Sequence, residues 1–450
     1  MKPSKCPIED PQCELFRSEL KQILSMDHAM VKLAHQVNWD RFDEAFGATY
    51  SDENGRPGNS TRLMVSLHYL KYTFNLSDEG VISSWLENPY WQYLSGMKYF
   101  CHKAPLDSSS MTRWRKRIGE SGAEELLSET LAAGLRMKAI KRSELKRVNV
   151  DTTVQEKNIR FPTDARLYDR AREHLVKAAS KRGIVLRQKY NRVNKSLLHQ
   201  QSRYAHARQM KRAKRCTRKL RTHLGRVIRD IERKCPEPDK HLSQTLQIAK
   251  RIYEQKQHDS NKIYSVHEPE VACIAKGKAH KRYEFGSKVS IAASSKGGWC
   301  LGAKAFSGNP YDGHTLATGI EQVEKLLGAA PEQVFVDQGY RGHDYKGIAQ
   351  VHVDRRRRGS IKKSLWKWMK RRSAIEPTIG HLKQERRMER NRLKGKAGDQ
   401  VNVVLSAAAM NFSKLLRHAE AFWHLVWEGL RKAFQQILES GYFLIPISPS

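Results

Sequence analysis

The 450-residue sequence lacks the long apolar segments of membrane and secreted proteins. No run approaches the ~20 apolar residues that a transmembrane helix needs, so we expect no membrane partner. The opening segment, MKPSKCPIEDPQ, has no apolar centre, so we expect no signal peptide. These absences predict a cytoplasmic protein.

Cysteine pairs spaced as metal ligands are also missing. No CxxC motif occurs, which argues against a zinc site and favours free thiols in a reducing compartment. The seven cysteines are scattered along the chain, as Cys6, Cys13, Cys101, Cys216, Cys235, Cys273 and Cys300.

Acidic residues are scarce relative to basic ones. The chain has 82 Lys and Arg but only 47 Asp and Glu, which gives a formal net charge of +35. Such an excess is unfavourable in a compact fold unless a polyanion binds, because like charges repel one another. Hydrophobic residues make up 39%, a proportion typical of a folded protein. The composition therefore predicts a folded protein that binds nucleic acid.

Residues 1–140 show short helical patterns separated by turn signals. One pattern surrounds Leu15 and Phe16, a helix is predicted after Pro57–Gly58, and another runs from Ser77 to Leu86. A serine within 108–110 is expected to cap a basic helix that follows it. These features suit a helical DNA-binding module, and they equally suit a helical bundle with a solvated basic face.

Residues 165–261 are predicted to form long helices that interrupt the strands on either side. Between 165 and 235 there are 23 Lys and Arg against 4 Asp and Glu. A charge run is usually a solvated face, but so concentrated an excess favours contact with phosphates. The candidate DNA-binding residues in the densest part are Lys211, Arg212, Lys214, Arg215, Arg218 and Lys219.

The rest of the chain alternates between strand and helix patterns. Strands are predicted at 148–154, 262–266, 283–293, 299–306, 334–336 and 350–353. Helices are predicted at 315–327, from about Ser373, at 401–416, and at the start of the tail that ends at Ser450. This pattern predicts an α/β domain.

Three acids stand where such a domain could gather them. Asp151 lies within the first strand, Asp337 directly follows the strand Val334–Val336, and Glu376 lies on the next helix. Hard divalent ions prefer carboxylate oxygens and keep some water ligands for a phosphate substrate. A pair of such ions can activate the attacking oxygen of phosphodiester cleavage and stabilise the leaving oxygen.

The segments around these acids resemble bacterial insertion-sequence transposases of the DDE class, in the group named after insertion sequence five. The matching segments are VNVDTTVQ, VFVDQGYRG and RRSAIEPTIGHLK. The group's signature has Tyr, Arg, Glu and Lys separated by two, three and six residues. Arg372, Glu376 and Lys383 fit this spacing, whereas Met369 occupies the Tyr position. The segments HEPEVACIAKGKAHKRYEFGSKVS and STRLMVSLHYLKY are also similar to these proteins.

The resemblance implies a ribonuclease-H-like core with Asp151, Asp337 and Glu376 as its catalytic and metal-binding triad. It implies Mg²⁺ or Mn²⁺, as two ions, with Arg372 and Lys383 holding DNA, and Arg341 is a further candidate for DNA contact. The implied partners are double-stranded DNA, as terminal inverted repeats and target, and a second copy of the chain on paired ends. A bacterial, nucleoid-associated location follows from the same resemblance.

The expected domains are a helical DNA-binding domain at 1–140 and a catalytic domain at 141–164 and 262–420. The basic helical insertion at 165–261 lies within the catalytic domain, and a helical tail follows at 421–450. Two alternatives stay open beside an active transposase. One is a nuclease of the same fold that cuts without strand transfer, and the other is a non-catalytic DNA-binding remnant.

Overall fold

The computed structural model describes residues 17–50, 58–275, 282–354 and 361–439, with backbone alone at 422–439. The helical pattern around Leu15 and Phe16, two cysteines (Cys6 and Cys13) and the end of the tail lie outside these residues. Within the described segments, no helix is long and apolar enough to cross a bilayer.

The first described part of the chain is helical. Ser77 caps the helix Asp78–Glu87, because its hydroxyl accepts a hydrogen bond from the Gly80 amide at 2.9 Å. The expected serine cap at 108–110 is wrong, since Asp107 caps the helix Ser108–Arg136 and its carboxylate accepts the Ser109 amide at 2.9 Å. The helices are α1 (Leu20–Ile23), α2 (Ala29–Gln36), α3 (Asp40–Gly47), α4 (Thr61–Thr73), α5 (Asp78–Glu87), α6 (Pro89–Leu94), α7 (Ser108–Arg136) and α8 (Arg142–Leu145).

A mixed sheet follows these helices. Its strands are β1 (Arg147–Lys157), β2 (Ala272–Ala275), β3 (Tyr283–Ser294), β4 (Cys300–Phe306), β5 (Gln333–Val336), β6 (Gln350–Val353) and β7 (Arg390–Asn391). The main order is β4-β3-β1-β5-β6, in which β1, β5 and β6 are parallel and β3 is antiparallel to both β1 and β4. Short strands extend two of these, with β2 beside β3 and β7 beside β1.

The remaining helices complete a mixed α/β fold. They are α9 (Asp164–Ser180), α10 (Asn191–His206), α11 (Met210–Lys234), α12 (Lys240–Glu254), α13 (Asp312–Leu327), α14 (Lys363–Arg371), α15 (Ile375–Glu385) and α16 (Gly395–Glu439). The first four fill the region between β1 and β2.

The strand predicted at 262–266 is wrong. Ile263 and Val266 instead pack into the hydrophobic core of the insertion, which is separate from the core beneath the sheet. The side chain of Gln255 accepts the Ile263 amide at 3.0 Å and donates to the Ile263 carbonyl at 3.3 Å. The Gln255 side chain thus makes the backbone hydrogen bonds that a neighbouring strand would otherwise make with Ile263.

The N-terminal helices share one hydrophobic core with the sheet and α16. The rings of Tyr69 in α4 and Phe412 in α16 stack with centroids 4.8 Å apart. Asn411 of α16 accepts the Cys300 amide and donates to the Cys300 carbonyl, both at 2.9 Å, and so fixes β4 against the helix. α16 therefore lies between the two regions and ties them together.

A glycine controls how closely β1 and β3 approach. A Cβ atom on Gly286 would lie 2.0 Å from the Gln155 carbonyl oxygen. We expect Gly286→Ala to lower the free energy of unfolding by about 1–3 kcal/mol or more, because backbone must shift to make room. Urea unfolding followed by circular dichroism measures this change.

The matched control is Gly380→Ala, where the added methyl meets no atom within 4 Å. Because Gly380 lies inside α15, alanine there is expected to be neutral or to stabilise by up to about 1 kcal/mol. Equal effects of the two substitutions would contradict the packing argument.

Candidate active site

Strand register brings two of the three predicted acids together. Asn149 of β1 pairs with Phe335 of β5 in parallel. Two residues further along, Asp151 and Asp337 therefore stand side by side on strands about 4.8 Å apart. Each carboxylate also accepts one nearby backbone amide, from Thr152 at 2.7 Å and from Gly339 at 2.9 Å. These bonds fix the two acids on rigid backbone.

A third strand end adds an acid that the sequence analysis missed. Val336 of β5 pairs with Val353 of β6, so Asp354 follows in the same row as Asp337. The Asp354 amide donates to the Val336 carbonyl at 2.9 Å, which continues the ladder by one residue. The signal was present in the sequence, because the QVHVD segment repeats the strand-then-acid pattern of QVFVD.

The helix α15, which carries Glu376, is held in place by its buried face and by contacts of the residues that precede it. Ile375 and Leu382 are buried on α15, whereas the Glu376 side chain is 64% exposed. Before the helix, the buried Asn149 amide donates to the Arg371 carbonyl at 3.0 Å. The Arg371 guanidinium in turn donates to the Ser295 carbonyl at 2.9 Å. The segment that leads into α15 is therefore pinned to β1 and to the end of β3.

Arg372 lies at the centre of the acids. Its guanidinium nitrogens are 4.0 Å from a carboxylate oxygen of Asp151, 4.0 Å from one of Asp354 and 3.8 Å from one of Glu376. Its charge also acts on Asp337. Only 15% of the Arg372 side chain is exposed. One partly enclosed cation is thus shared among four carboxylates.

A further acid, Asp312 at the start of α13, borders the site and was also missed. Its carboxylate accepts the Thr152 hydroxyl at 2.7 Å and the Lys288 ammonium at 2.9 Å. Lys288 also donates to the Pro310 carbonyl at 2.7 Å. Asp312 therefore ties the residue next to Asp151 to β3 and α13. Only folding brings these distant segments together, so no local pattern in the sequence marked Asp312.

Burial and like charges act on the Asp337 carboxylate in the same direction. Burial raises the pKa of Asp337, and the charges of Asp312 and Asp354 add to the rise, against the opposing effect of Arg372. Burial likewise raises the pKa of Tyr340 well above its usual range, with Asp151 and Asp312 adding to the effect. An ionised Asp337 is therefore under electrostatic stress in this site.

The donor set suits a hard divalent cation by its chemistry, since it consists of carboxylates. In the arrangement described, however, no group of three or more acidic, histidine or cysteine side chains in the described segments is placed to hold a metal ion. In this arrangement the guanidinium of Arg372 supplies the positive charge among the acids. Asp151 and Asp337 are the pair of acids best placed to share a cation, because the strand register sets them side by side.

The other residues predicted beside the triad occupy different settings. Lys383 lies on α15 and is partly buried, and Arg341 is exposed just after Tyr340. Met369, at the signature's Tyr position, is buried in α14. Because Met369 is buried, the Tyr position of the signature packs against the protein interior in this chain.

The predicted cations of the insertion lie on the outer face of α11. Its inner face buries Ala213, Cys216, Leu220 and Leu224. No carboxylate in the part of the chain that the structure describes forms an ion pair with the outer residues, which are Lys211, Arg212, Lys214, Arg215, Arg218 and Lys219. These six residues therefore lie on an exposed surface of α11.

Comparisons with known proteins agree with this architecture. Residues 18–117 match the family model of a transposase domain (DUF772), and residues 243–412 match that of a transposase DDE domain. An uncharacterized protein of Rhizobium meliloti, ORF8 in the nfe locus, is 53% identical over 196 residues, which span 44% of this chain and 94% of the relative. No solved structure matches the chain.

The electrostatic stress on Asp337 predicts a pH-dependent gain in stability for Asp337→Asn. The folded-state pKa is raised, so the ionised carboxylate favours unfolding at pH 7, and removing its charge should raise the free energy of unfolding. The gain should shrink as the pH falls through the folded-state pKa, because the wild type then binds its proton, and should vanish below the unfolded-state pKa.

Urea unfolding in EDTA-containing buffer, repeated between neutral and acidic pH, measures this difference. Asp344→Asn, at an exposed acid nearby, serves as the control and should show no such gain. A variant less stable than wild type at pH 7 would contradict the assigned stress.

Proposed function

Because this chain belongs to the bacterial DDE transposases, enzymes that cut DNA and transfer its strands, we propose that Asp151, Asp337 and Glu376 are its catalytic carboxylates. The observation that carries the proposal is the parallel register that sets Asp151 beside Asp337. Glu376 joins them through the shared contact with Arg372. The order of β4, β3, β1, β5 and β6 is consistent with a ribonuclease-H-like core.

We propose that Asp151 and Asp337 hold divalent metal, Mg²⁺ or Mn²⁺, with Glu376 completing a second position. Bound ions of this kind would supply a Lewis acid that lowers the pKa of water and offsets charge on the phosphodiester. The exposed Glu376 side chain has freedom to turn toward the strand ends. The amides of Thr152 and Gly339 keep one oxygen of each aspartate fixed while the other faces the site.

Arg372 takes two roles in this proposal. Without metal, its guanidinium offsets the mutual repulsion of the acids and keeps them together. When metal supplies that positive charge, Arg372 is free to bind a DNA phosphate, for which its planar fork of donors is suited. Lys383 and Arg341 would add further phosphate contacts next to the cut.

The substrate is proposed to be double-stranded DNA, as the terminal inverted repeats of an element and its target. The exposed cations of α11 would hold the duplex away from the cut site, since phosphate contacts position DNA without reading its sequence. A homodimer would pair the two element ends, in the bacterial cytoplasm near the nucleoid. The group named after insertion sequence five is our proposed placement within the family.

The main alternative is a metal-dependent nuclease of the same fold. It would hydrolyse the strand at the acids without joining the freed 3′ hydroxyl to a target. A non-catalytic remnant is less well supported, because all three acids are present and backbone amides hold Asp151 and Asp337.

The acids are tested by substituting each one conservatively. Asp151→Asn, Asp337→Asn and Glu376→Gln are each expected to lower Mg²⁺-dependent cleavage of labelled element-end DNA by about 10²-fold or more. Binding of the same DNA in EDTA should stay close to wild type, because no phosphate contact is lost. Gel separation of cut and joined strands distinguishes hydrolysis from strand transfer.

Asp344→Asn is again the control and should cut and join as wild type does. Full cutting by Asp337→Asn would refute the assigned site. Cutting by wild type without any joined product, in the presence of target DNA, would favour the nuclease.

The surface of α11 is tested through the salt dependence of DNA binding. Alanine at all six of its outer cations should weaken duplex binding and flatten the dependence of log K on log salt by roughly 0.9 for each phosphate contact removed. Exchanging Arg212, Arg215 and Arg218 for Lys keeps the charges and should preserve the slope. An unchanged slope in the alanine variant would place the duplex elsewhere.

A further inference from the structure

A cleft opens where the insertion joins the catalytic sheet, and nothing described so far uses it. It has a volume of about 1520 Å³ and lies between the segment that leaves β1, helices α9 and α10, and residues 264–267. Clefts for drug-sized ligands are typically about 300–1,000 Å³, so this one suits a larger occupant. A neighbouring hollow of about 600 Å³ shares Arg160, Phe161 and Arg166 with it and adds Arg390.

The charge of the cleft is positive and unbalanced. Six Arg and Lys but only two acids line it. Both acids are already paired, Asp169 with Arg172 at 2.8 Å and Glu173 with Arg170 at 2.7 Å. No ion pair to a carboxylate exists, over the described ranges, for the four other cations, which are Arg160, Arg166, Arg192 and Lys195. Four cations facing one cleft favour an occupant with several negative charges.

The cleft also offers aromatic and apolar surface. Phe161 is 60% exposed even though its ring meets Phe285 edge-on, with centroids 5.4 Å apart. Tyr264, which lines the cleft, also contacts Phe285, with ring centroids 5.3 Å apart. Leu167, Leu198 and Val266 add apolar lining. An exposed aromatic ring beside unpaired cations is the combination that binds unstacked bases and their phosphates.

We propose that this cleft binds a short single-stranded segment of DNA, with bases against Phe161 and Tyr264 and phosphates against Arg160, Arg192 and Lys195. A duplex fits less well, because its bases stay stacked inside and only phosphates and groove edges face a protein. The inference rests on the proposed function, since a DNA-cutting enzyme provides the strand. It adds a second DNA contact that recognises unpaired nucleotides.

The distance from the acids to the cleft indicates how far from the cut the single-stranded segment would lie. Asn158, at the cleft, lies seven residues beyond Asp151 along an extended chain, which corresponds to about 23 Å. At 3.4 Å per nucleotide of one strand, this span equals roughly seven base steps of a duplex. The cleft would therefore receive a strand that separates from its complement a few nucleotides from the cut.

Fluorescence anisotropy with two labelled probes tests the proposal on the full chain in EDTA. The probes are a thymidine oligonucleotide about 12 nucleotides long and a duplex hairpin of similar charge. Phe161→Ala should weaken binding of the single strand by about 5- to 100-fold, because a stacked base is lost. Duplex binding should stay within about twofold of wild type, and Phe161→Tyr should restore binding of the single strand.

Charge and location are tested separately. Alanine at Arg160, Arg192 and Lys195 should flatten the salt dependence for the single strand by roughly 0.7 per contact, whereas alanine at Lys177 and Lys181, exposed on and after α9 outside the cleft, should not. In the wild type, photocrosslinking of an oligonucleotide that carries 5-iodo-deoxyuridine should label Phe161 or Tyr264. This measurement does not depend on any variant folding.

The proposal is overturned if Phe161→Ala binds the single strand as wild type does, or loses duplex binding by the same factor. It is also overturned if crosslinks fall outside the cleft, or if an RNA oligonucleotide binds more tightly than DNA through Phe161. Asp337→Asn separates this result from the proposed function. That variant should keep single-strand binding, so its cleavage tests the acids while the cleft variants test the cleft.

Discussion

The arrangement of this protein depends on holding several carboxylates close together against their mutual repulsion. Asp151 lies within β1, Asp337 and Asp354 directly follow the neighbouring parallel strands β5 and β6, and Glu376 lies on the helix α15. Burial raises the pKa of Asp337, and the like charges of Asp312 and Asp354 add to the rise. The guanidinium of Arg372 offsets part of this cost from within the group. The stability of the site and its affinity for positive charge therefore have one physical origin.

The sheet makes this concentration of charge possible because its register leaves little freedom. Val148, Val150, Val334 and Val336 are buried, and a slip of one residue would turn them toward the opposite face. The same slip would move Asp151 away from Asp337. Burial of the valines thus fixes the position of the acids, so that core packing and site geometry are one constraint.

Much of the architecture was predictable from the sequence, because its signals are local. β-branched residues marked β1, β5 and β6, and an uninterrupted basic stretch marked the helical insertion. The strand-then-acid pattern pointed to Asp337. Local signals failed at Ile263, where the Gln255 side chain satisfies the backbone in place of a strand. Tertiary contact, which no local pattern encodes, decided that segment.

The candidate site was predictable in part for the same reason. Asp151, Asp337 and Glu376 could be proposed from an acid within a predicted strand, an acid after a strand, and the spacing around the helix. Asp312 could not, because its partners Thr152 and Lys288 are 160 and 24 residues away in the chain. Arg372 was expected to hold DNA, but its position among the acids depends on the register of three strands. Such relations arise only when the strands align.

Contacts where the insertion joins the sheet explain how a long insertion can leave the strand register of the sheet unchanged. The chain leaves the sheet after Lys157, and Glu268 lies four residues before the chain re-enters the sheet at β2. These two buried residues form an ion pair at 3.1 Å. The Lys157 ammonium also lies 2.9 Å from Asp399 of α16 and donates to the Leu393 carbonyl at 2.8 Å. Buried charges stabilise little in net terms, but removing one partner typically costs about 3–5 kcal/mol. The end of β1, the segment before β2 and the start of α16 are therefore held together at one point. Because the proposed single-strand cleft opens directly beyond Lys157, this lock also sets its distance from the acids.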